Sequence, residues 1–224
     1  MKLNKLQTRL ISAFVMFPPV IYLVYLGGYF FAGLLLLTYL ISLYEWIKIS
    51  AKTNFAVIFY ILGFLYLSIA YYLFFHLRDL PEVGLTLTVL TFFCVWSSDS
   101  FAYIFGKLIG GPKLLPMISP NKTRVGLAGA MFGPVFILII GDFLLNFFNI
   151  AEPNMSYLFM VTFGCILGVV AQTGDLIVSA LKRSANVKDT GNIIPGHGGL
   201  LDRIDALILA APVFYIAAIM FLVN

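Results

Sequence analysis

Apolar residues in this chain come in long runs, without the two-residue alternation that a membrane barrel strand would show. A run of about 18 or more mostly apolar residues is enough to cross a hydrocarbon core of about 30 Å as helix. Seven such spans can be drawn: Leu10–Gly27, Tyr29–Ile47, Phe55–Phe75, Gly84–Phe105, Leu127–Ile150, Ser156–Leu181 and Ile204–Val223. Two polar stretches interrupt them, at 106–126 and 182–203. In lipid every backbone polar group must be satisfied within the segment, so the pattern predicts helices. The expected fold is all-α: a polytopic membrane helical bundle of about seven transmembrane helices forming one integral-membrane domain over 1–224. Residues 1–83 would supply N-terminal helices, and 84–224 the catalytic helices with the two loops.

Composition agrees with the pattern. The chain is 61% hydrophobic and 11% charged, outside the range of soluble domains. Its basic N-terminus followed by an apolar run resembles a leader, but no small-x-small cleavage site follows, so a retained first helix is expected. No internal repeat marks a transporter built from inverted halves. Cys94 and Cys165 lie within apolar runs and read as small hydrophobes.

Charge then gives orientation. With alternate helix ends assigned to alternate sides, 13 of the 14 Lys and Arg residues fall on one side, and only Arg78 on the other. That split is the positive-inside signature, and it places both polar loops in the cytoplasm. It also removes the reason to read the net charge of +4 as nucleic-acid binding.

Against this background the acids become informative. Asp99 and Asp175 each lie within an apolar span, about seven residues, or about 10 Å, from its cytoplasmic end. Asp205 enters the membrane from the same side. A charged Asp at such depth costs roughly 2.5–3.5 kcal/mol on insertion scales, so it faces a partner or a wet cavity. Asp142, shallow from the other side, reads as structural or interfacial, and His76 as interfacial.

The densest chemistry is in SALKRSANVKDTGNIIPGHGGLLDRID, from Ser179 to Asp205. Lys182, Arg183, Lys188, Asp189, His197, Asp202, Arg203 and Asp205 are packed there among glycines. Cations beside carboxylates on such a loop suit a polyphosphate with a divalent metal. Gly196-His197-Gly198-Gly199 is expected to bring backbone N–H groups against phosphate oxygens, with His197 bonding a phosphate or the leaving group. A metal held between Asp175 and Asp202 or Asp205 would see hard oxygen ligands and no thiols, which favours Mg²⁺. The other loop offers Ser119-Pro120-Asn121-Lys122-Thr123 to the same compartment. Phosphoryl or nucleotidyl transfer between a soluble nucleotide and a lipid head group is the chemistry such a site suits.

These residues resemble a known family. Ser179-x-x-Lys182-Arg183, Lys188-Asp189-x-Gly191, Pro195-Gly196-His197-Gly198-Gly199 and Leu201-Asp202-Arg203-x-Asp205 are similar to the C-terminal signature of phosphatidate cytidylyltransferases. Asp99-x-x-Ala102-Tyr103-x-x-Gly106, Ile118-Ser119-Pro120-Asn121-Lys122-Thr123, Gly174-Asp175-Leu176 and Tyr44-Glu45-Trp46 resemble further family motifs. One departure stands out: Arg124-Val125-Gly126 replaces the usual Trp-Glu-Gly, which removes a carboxylate.

The resemblance implies CTP plus phosphatidate giving CDP-diacylglycerol and pyrophosphate, with Mg²⁺, in a homodimer at a bacterial cytoplasmic membrane. On this reading Asp175 and Asp202 hold metal, with Asp99 and Asp205 next in line, and Asp175, Lys182, Asp202 and Asp205 are catalytic. Lys182, Arg183, Lys188 and Arg203 would offset triphosphate charge. Lys122 with Ser119 would touch phosphate, and Asp189 would hold a loop cation or a metal-bound water. His197 and Gly198 complete the substrate contacts. Two other readings remain: a CTP-dependent enzyme acting on an isoprenoid lipid, and a cation-coupled transporter with Asp99 and Asp175 as a relay.

Overall fold

The computed structural model describes residues 5–150, 155–196 and 198–221, with side chains from residue 14 to 220 within those stretches. Among them are seven α-helices: α1 (Lys5–Leu26), α2 (Gly28–Ser50), α3 (Ala56–Arg78), α4 (Gly84–Leu108), α5 (Arg124–Phe147), α6 (Tyr157–Ser184) and α7 (Leu201–Phe221). Six of them, α2 to α7, are long and apolar enough to cross a membrane. The polytopic helical bundle expected from the apolar runs is what forms.

Three differences from the expected boundaries matter for the site. The 106–126 stretch is not all loop: β1 (Lys113–Leu115) and β2 (Ser119–Thr123) pair as a short antiparallel hairpin. α6 runs on through Ser184, so Lys182 and Arg183 stand on a helix. α7 begins at Leu201, three residues ahead of the expected Ile204, so Asp202 and Arg203 are helical too. Apolar runs locate the lipid-facing stretch, whereas a helix end is set by its caps, and these lie in polar sequence. At the start of α5, Thr123 Oγ1 accepts from Gly126 N at 2.9 Å and serves as that cap.

Close helix contact rests on small residues, since lipid gives no hydrophobic drive for helices to associate. On α5, a Cβ at Gly133 would lie 2.6 Å from the Ser97 carbonyl group of α4. On α6, a Cβ at Gly174 would lie 2.5 Å from the Asp205 carbonyl oxygen and 3.1 Å from Ala206 Cα of α7. The second approach holds Asp175 beside the start of α7. Gly174→Val is therefore expected to push α6 off α7 and to cost about 1–3 kcal/mol, as overpacking generally does. A lower melting temperature in detergent checks this, with Gly33→Ala as control because its added methyl meets nothing within 4 Å.

At the end of the bundle away from both polar loops, the lone basic residue has a structural task. Arg78 Nε donates to Val24 O at 2.8 Å and Nη2 to Tyr25 O at 2.9 Å. These are last-turn carbonyls of α1 that have no partner within the helix.

Candidate active site

α6 carries a polar stripe on an otherwise apolar helix. Gln172, Asp175, Ser179 and Lys182 follow one another at intervals of three and four, which puts them on one face. Three of the four rungs meet different elements. Gln172 Nε2 donates to Asp99 Oδ1 of α4 at 2.9 Å. Asp175 Oδ2 lies 2.6 Å from Lys122 Nζ of β2, and Asp175 Oδ1 accepts from Ser179 Oγ at 3.1 Å. The Lys122 contact is an ion pair. Lys182 Nζ donates to Asp202 Oδ1 of α7 at 2.7 Å. One helix face thus gathers α4, the hairpin and α7.

Asp205 completes the cluster. It lies one turn beyond Asp202 on α7, where it is repelled by Asp175 and Asp99 and attracted by Lys182. Four carboxyl groups from three helices, Asp99, Asp175, Asp202 and Asp205, therefore share two lysines. Away from bulk water such interactions are strong, and a deficit of positive charge favours a further cation.

Does this arrangement fit magnesium? Among the described residues no group of three or more acids, histidines or cysteines is close enough to hold a metal alone. Mg²⁺ does not require one: it is commonly bound through one or two carboxylates, with water and substrate phosphates completing the octahedron. Asp175, with Asp99 and Asp205 nearby, meets that requirement with hard oxygens. Asp202, also expected as a metal ligand, is otherwise engaged. Its Oδ1 takes Lys182, and its Oδ2 accepts from Thr190 N at 2.7 Å and Gly199 N at 3.2 Å, with the Thr190 hydroxyl, whose one proton is shared between this carboxylate and Glu45, at 3.0 Å. In this geometry it organises the loop.

The glycine-rich segment also departs from expectation. Its amides at 199, 200 and 201 do not turn toward a phosphate site. Gly199 N donates to Asp202, while Leu200 N and Leu201 N donate to Glu45 of α2 at 3.0 and 2.9 Å. Two protein carboxylates hold these donors. Gly198 has φ +87°, the left-handed region, and a Cβ there would lie 3.1 Å from Asp202 Oδ2. His197 lies outside the described residues.

The remaining expected residues are distributed around this centre. Arg183 Nε donates to Ile118 O at 3.1 Å and ties the hairpin to the end of α6. Lys188 and Asp189, both exposed, line a cavity of about 240 Å³ against Lys48 and Lys52 at the end of α2. Arg203 lines an apolar groove on another face of α7. Ser119 pairs with Leu115 at the far end of β2, so it is Lys122 that reaches the acids. Val125, standing where the usual motif has a carboxylate, packs toward Gly111.

Glu45, Thr190 and Gln172 have site roles that the motifs did not give. Glu45 offered two signals, its place in Tyr44-Glu45-Trp46 and its position two residues before the end of an apolar span.

The model of the cytidylyltransferase family matches residues 51–221. A phosphatidate cytidylyltransferase of Rickettsia felis is 46% identical over 135 residues, covering 59% of this chain and 59% of the relative. That of Bacillus subtilis is 39% identical over 194 residues, 85% of this chain and 67% of the relative. That of Rickettsia bellii is 37% identical over 215 residues, 95% of this chain and 90% of the relative. The stripe on α6, the paired Lys122 and Lys182 and the clasped glycine-rich loop all fall within the matched region. This chain belongs to the cytidylyltransferase family.

Proposed function

We propose that the chain transfers the cytidylyl group of CTP to phosphatidate, releasing pyrophosphate and forming CDP-diacylglycerol, with Mg²⁺, at the cytoplasmic face of a bacterial membrane. The observation that carries this reading is the meeting of Asp175 with Lys122, and of Asp202 with Lys182, at the end of the bundle where the two polar segments lie. Cation and carboxylate together are what a triphosphate bound with a divalent metal needs, and the relatives' names supply the nucleotide and the lipid. Lys48, Lys52, Lys107, Lys113 and Lys188 gather at that same end, which supports a cytoplasmic placement.

In this reaction a phosphate oxygen of phosphatidate attacks the α-phosphorus of CTP. The bond from that phosphorus to the oxygen bridging toward the β-phosphate breaks, and pyrophosphate departs with the electron pair. The attacking phosphate is already anionic at neutral pH, so no general base is required. Lys122 and Lys182 offset charge on the phosphates, from positions fixed by Asp175 and Asp202. Asp175, flanked by Asp99 and Asp205, would hold the magnesium ion. When bound, Mg²⁺ neutralises phosphate oxygens and aligns the groups for in-line displacement.

An apolar groove of about 920 Å³ runs between α1, α2, α3, α4 and α7, lined among others by Phe17, Leu34, Phe74, Trp96 and Leu207. With Arg203 also in its lining, it suits the acyl chains of an anionic lipid. The deciding measurement is pyrophosphate release from CTP by purified protein with phosphatidate, with an isoprenoid lipid acceptor, and with neither. Release that depends on phosphatidate and Mg²⁺ is the expected result. Equal release with the isoprenoid acceptor, or none with phosphatidate, overturns the reading.

A further inference from the structure

Glu45 is a buried acid with an unusual set of partners. It sits on α2, 1% exposed, and among the described residues neither of the two ion pairs involves it. Two backbone amides, and a threonine hydroxyl shared with Asp202, meet its carboxylate instead, from a segment about 150 residues away in sequence. Oε1 accepts from Leu200 N at 3.0 Å; Oε2 accepts from Leu201 N at 2.9 Å and lies 2.9 Å from the Thr190 hydroxyl. Leu201 opens α7, so the negative charge lies at that helix's positive end, on amides with no partner inside the helix.

The loop is shaped to reach this group. A Cβ at Gly191 would lie 2.5 Å from Oε1, and one at Gly199 would lie 2.6 Å from Oε2. Only α-carbons without a Cβ let the backbone close around the carboxylate from both sides. Thr190 continues the connection, since its hydroxyl also lies 3.0 Å from Asp202 Oδ2 and its amide donates to the same oxygen at 2.7 Å. Asp202 in turn holds Lys182. A continuous path therefore leads from Glu45 through Thr190 and Asp202 to a lysine in the acidic cluster. The family model begins at residue 51, beyond Glu45.

We propose that Glu45 is a positioning residue for nucleotide transfer. It fixes the 190–201 segment, and through Thr190 and Asp202 it fixes Lys182, so that α2 is part of the catalytic apparatus. This rests on the reading that the loop and Lys182 serve the nucleotide. A shape-only role predicts fewer folded molecules with normal kinetics; a positioning role predicts folded molecules with altered kinetics toward CTP.

The test compares Glu45→Gln, Thr190→Val and the double variant in detergent with added lipid. Gln has the size of Glu but turns an NH₂ toward N–H donors. For Glu45→Gln, kcat/KM for CTP is expected to fall about tenfold to a hundredfold, the scale of lost hydrogen bonds to a charged group. KM for phosphatidate should stay within about twofold of wild type, and hydrogen exchange should rise at the amides of 199–201. Thr190→Val should lose less, Thr190→Ser should recover most of that loss, and the double variant should be no worse than Glu45→Gln alone, because both act along one path. Wild-type kcat/KM for CTP in Glu45→Gln, unchanged exchange at 199–201, or losses that multiply in the double variant overturn the proposal. If Glu45→Gln does not fold, the Thr190→Val and Thr190→Ser pair decides by the same kinetic criteria. Absence of phosphatidate-dependent pyrophosphate release in the wild type is a separate failure, of the functional reading, and the exchange measurement is independent of it.

Discussion

Asp175→Asn is expected to lower CTP turnover about a hundredfold to a thousandfold while leaving the protein folded, the range typical for removing a preorganised electrostatic partner. The substitution keeps the side chain's size, and the amide oxygen can still accept from Ser179, which now donates to Oδ1 at 3.1 Å. What is lost lies at Oδ2. There Lys122 Nζ stands at 2.6 Å, and an amide NH₂ would present a donor to an ammonium. Lys122 would then leave its place, and the remaining acids nearby, Asp99 and Asp205, would lack the carboxylate that stands between them and the hairpin's cation. The measurement is pyrophosphate release across a Mg²⁺ titration, with Asp142→Asn, near the end of α5 away from the two polar segments, as a control expected to be unchanged. Turnover within about threefold of wild type, at the same Mg²⁺ requirement, would remove Asp175 from the centre of the site.

The contrast between Asp175 and its partners shows which features the sequence could disclose. The helices were legible because lipid imposes one rule on any long apolar run: α2 at Gly28–Ser50 and α3 at Ala56–Arg78 begin and end within a turn of the expected spans. The depth of Asp99 and Asp175 was legible for the same reason, since an acid inside such a run is costly and conspicuous. Their partners were not. Lys122 reaches Asp175 from a hairpin whose residues, with three prolines in and beside the strands, show no strand periodicity. Glu45 meets Leu200 across 155 positions, a pairing that no local pattern encodes. Asp202 stood out in the sequence, yet its neighbours Thr190 and Gly199 are loop residues held by contacts distant in sequence, Thr190 also lying against Glu45 of α2. Identifying a chemical group from sequence is thus easier than identifying what it touches. The motifs named candidate residues, and the fold shows which of them lie together.

Lys182→Met tests the other half of the cluster, and the loss should appear in stability as well as in activity. Lys182 is 9% exposed, and its ammonium is bonded to Asp202 Oδ1 at 2.7 Å. Met has a similar length and apolar stem, so the packing survives while the charge does not. Asp202 would keep its two amide donors on Oδ2 but carry an uncompensated charge on Oδ1, and Asp175 and Asp205 would also lose an attractive neighbour. Removing one partner of a buried ion pair costs about 3–5 kcal/mol, because the remaining charge is left without water or counter-ion. A large drop in melting temperature in detergent is therefore expected, together with loss of pyrophosphate release. Adding Asp202→Asn to Lys182→Met separates the two effects. With both charges gone, the amide oxygen can still accept from Thr190 and Gly199, so most of the melting temperature should return while turnover does not. A Lys182→Met protein that melts like wild type would mean the pair contributes nothing to holding α6 on α7. A double variant that regains turnover with its melting temperature would mean that Lys182 acts through folding alone.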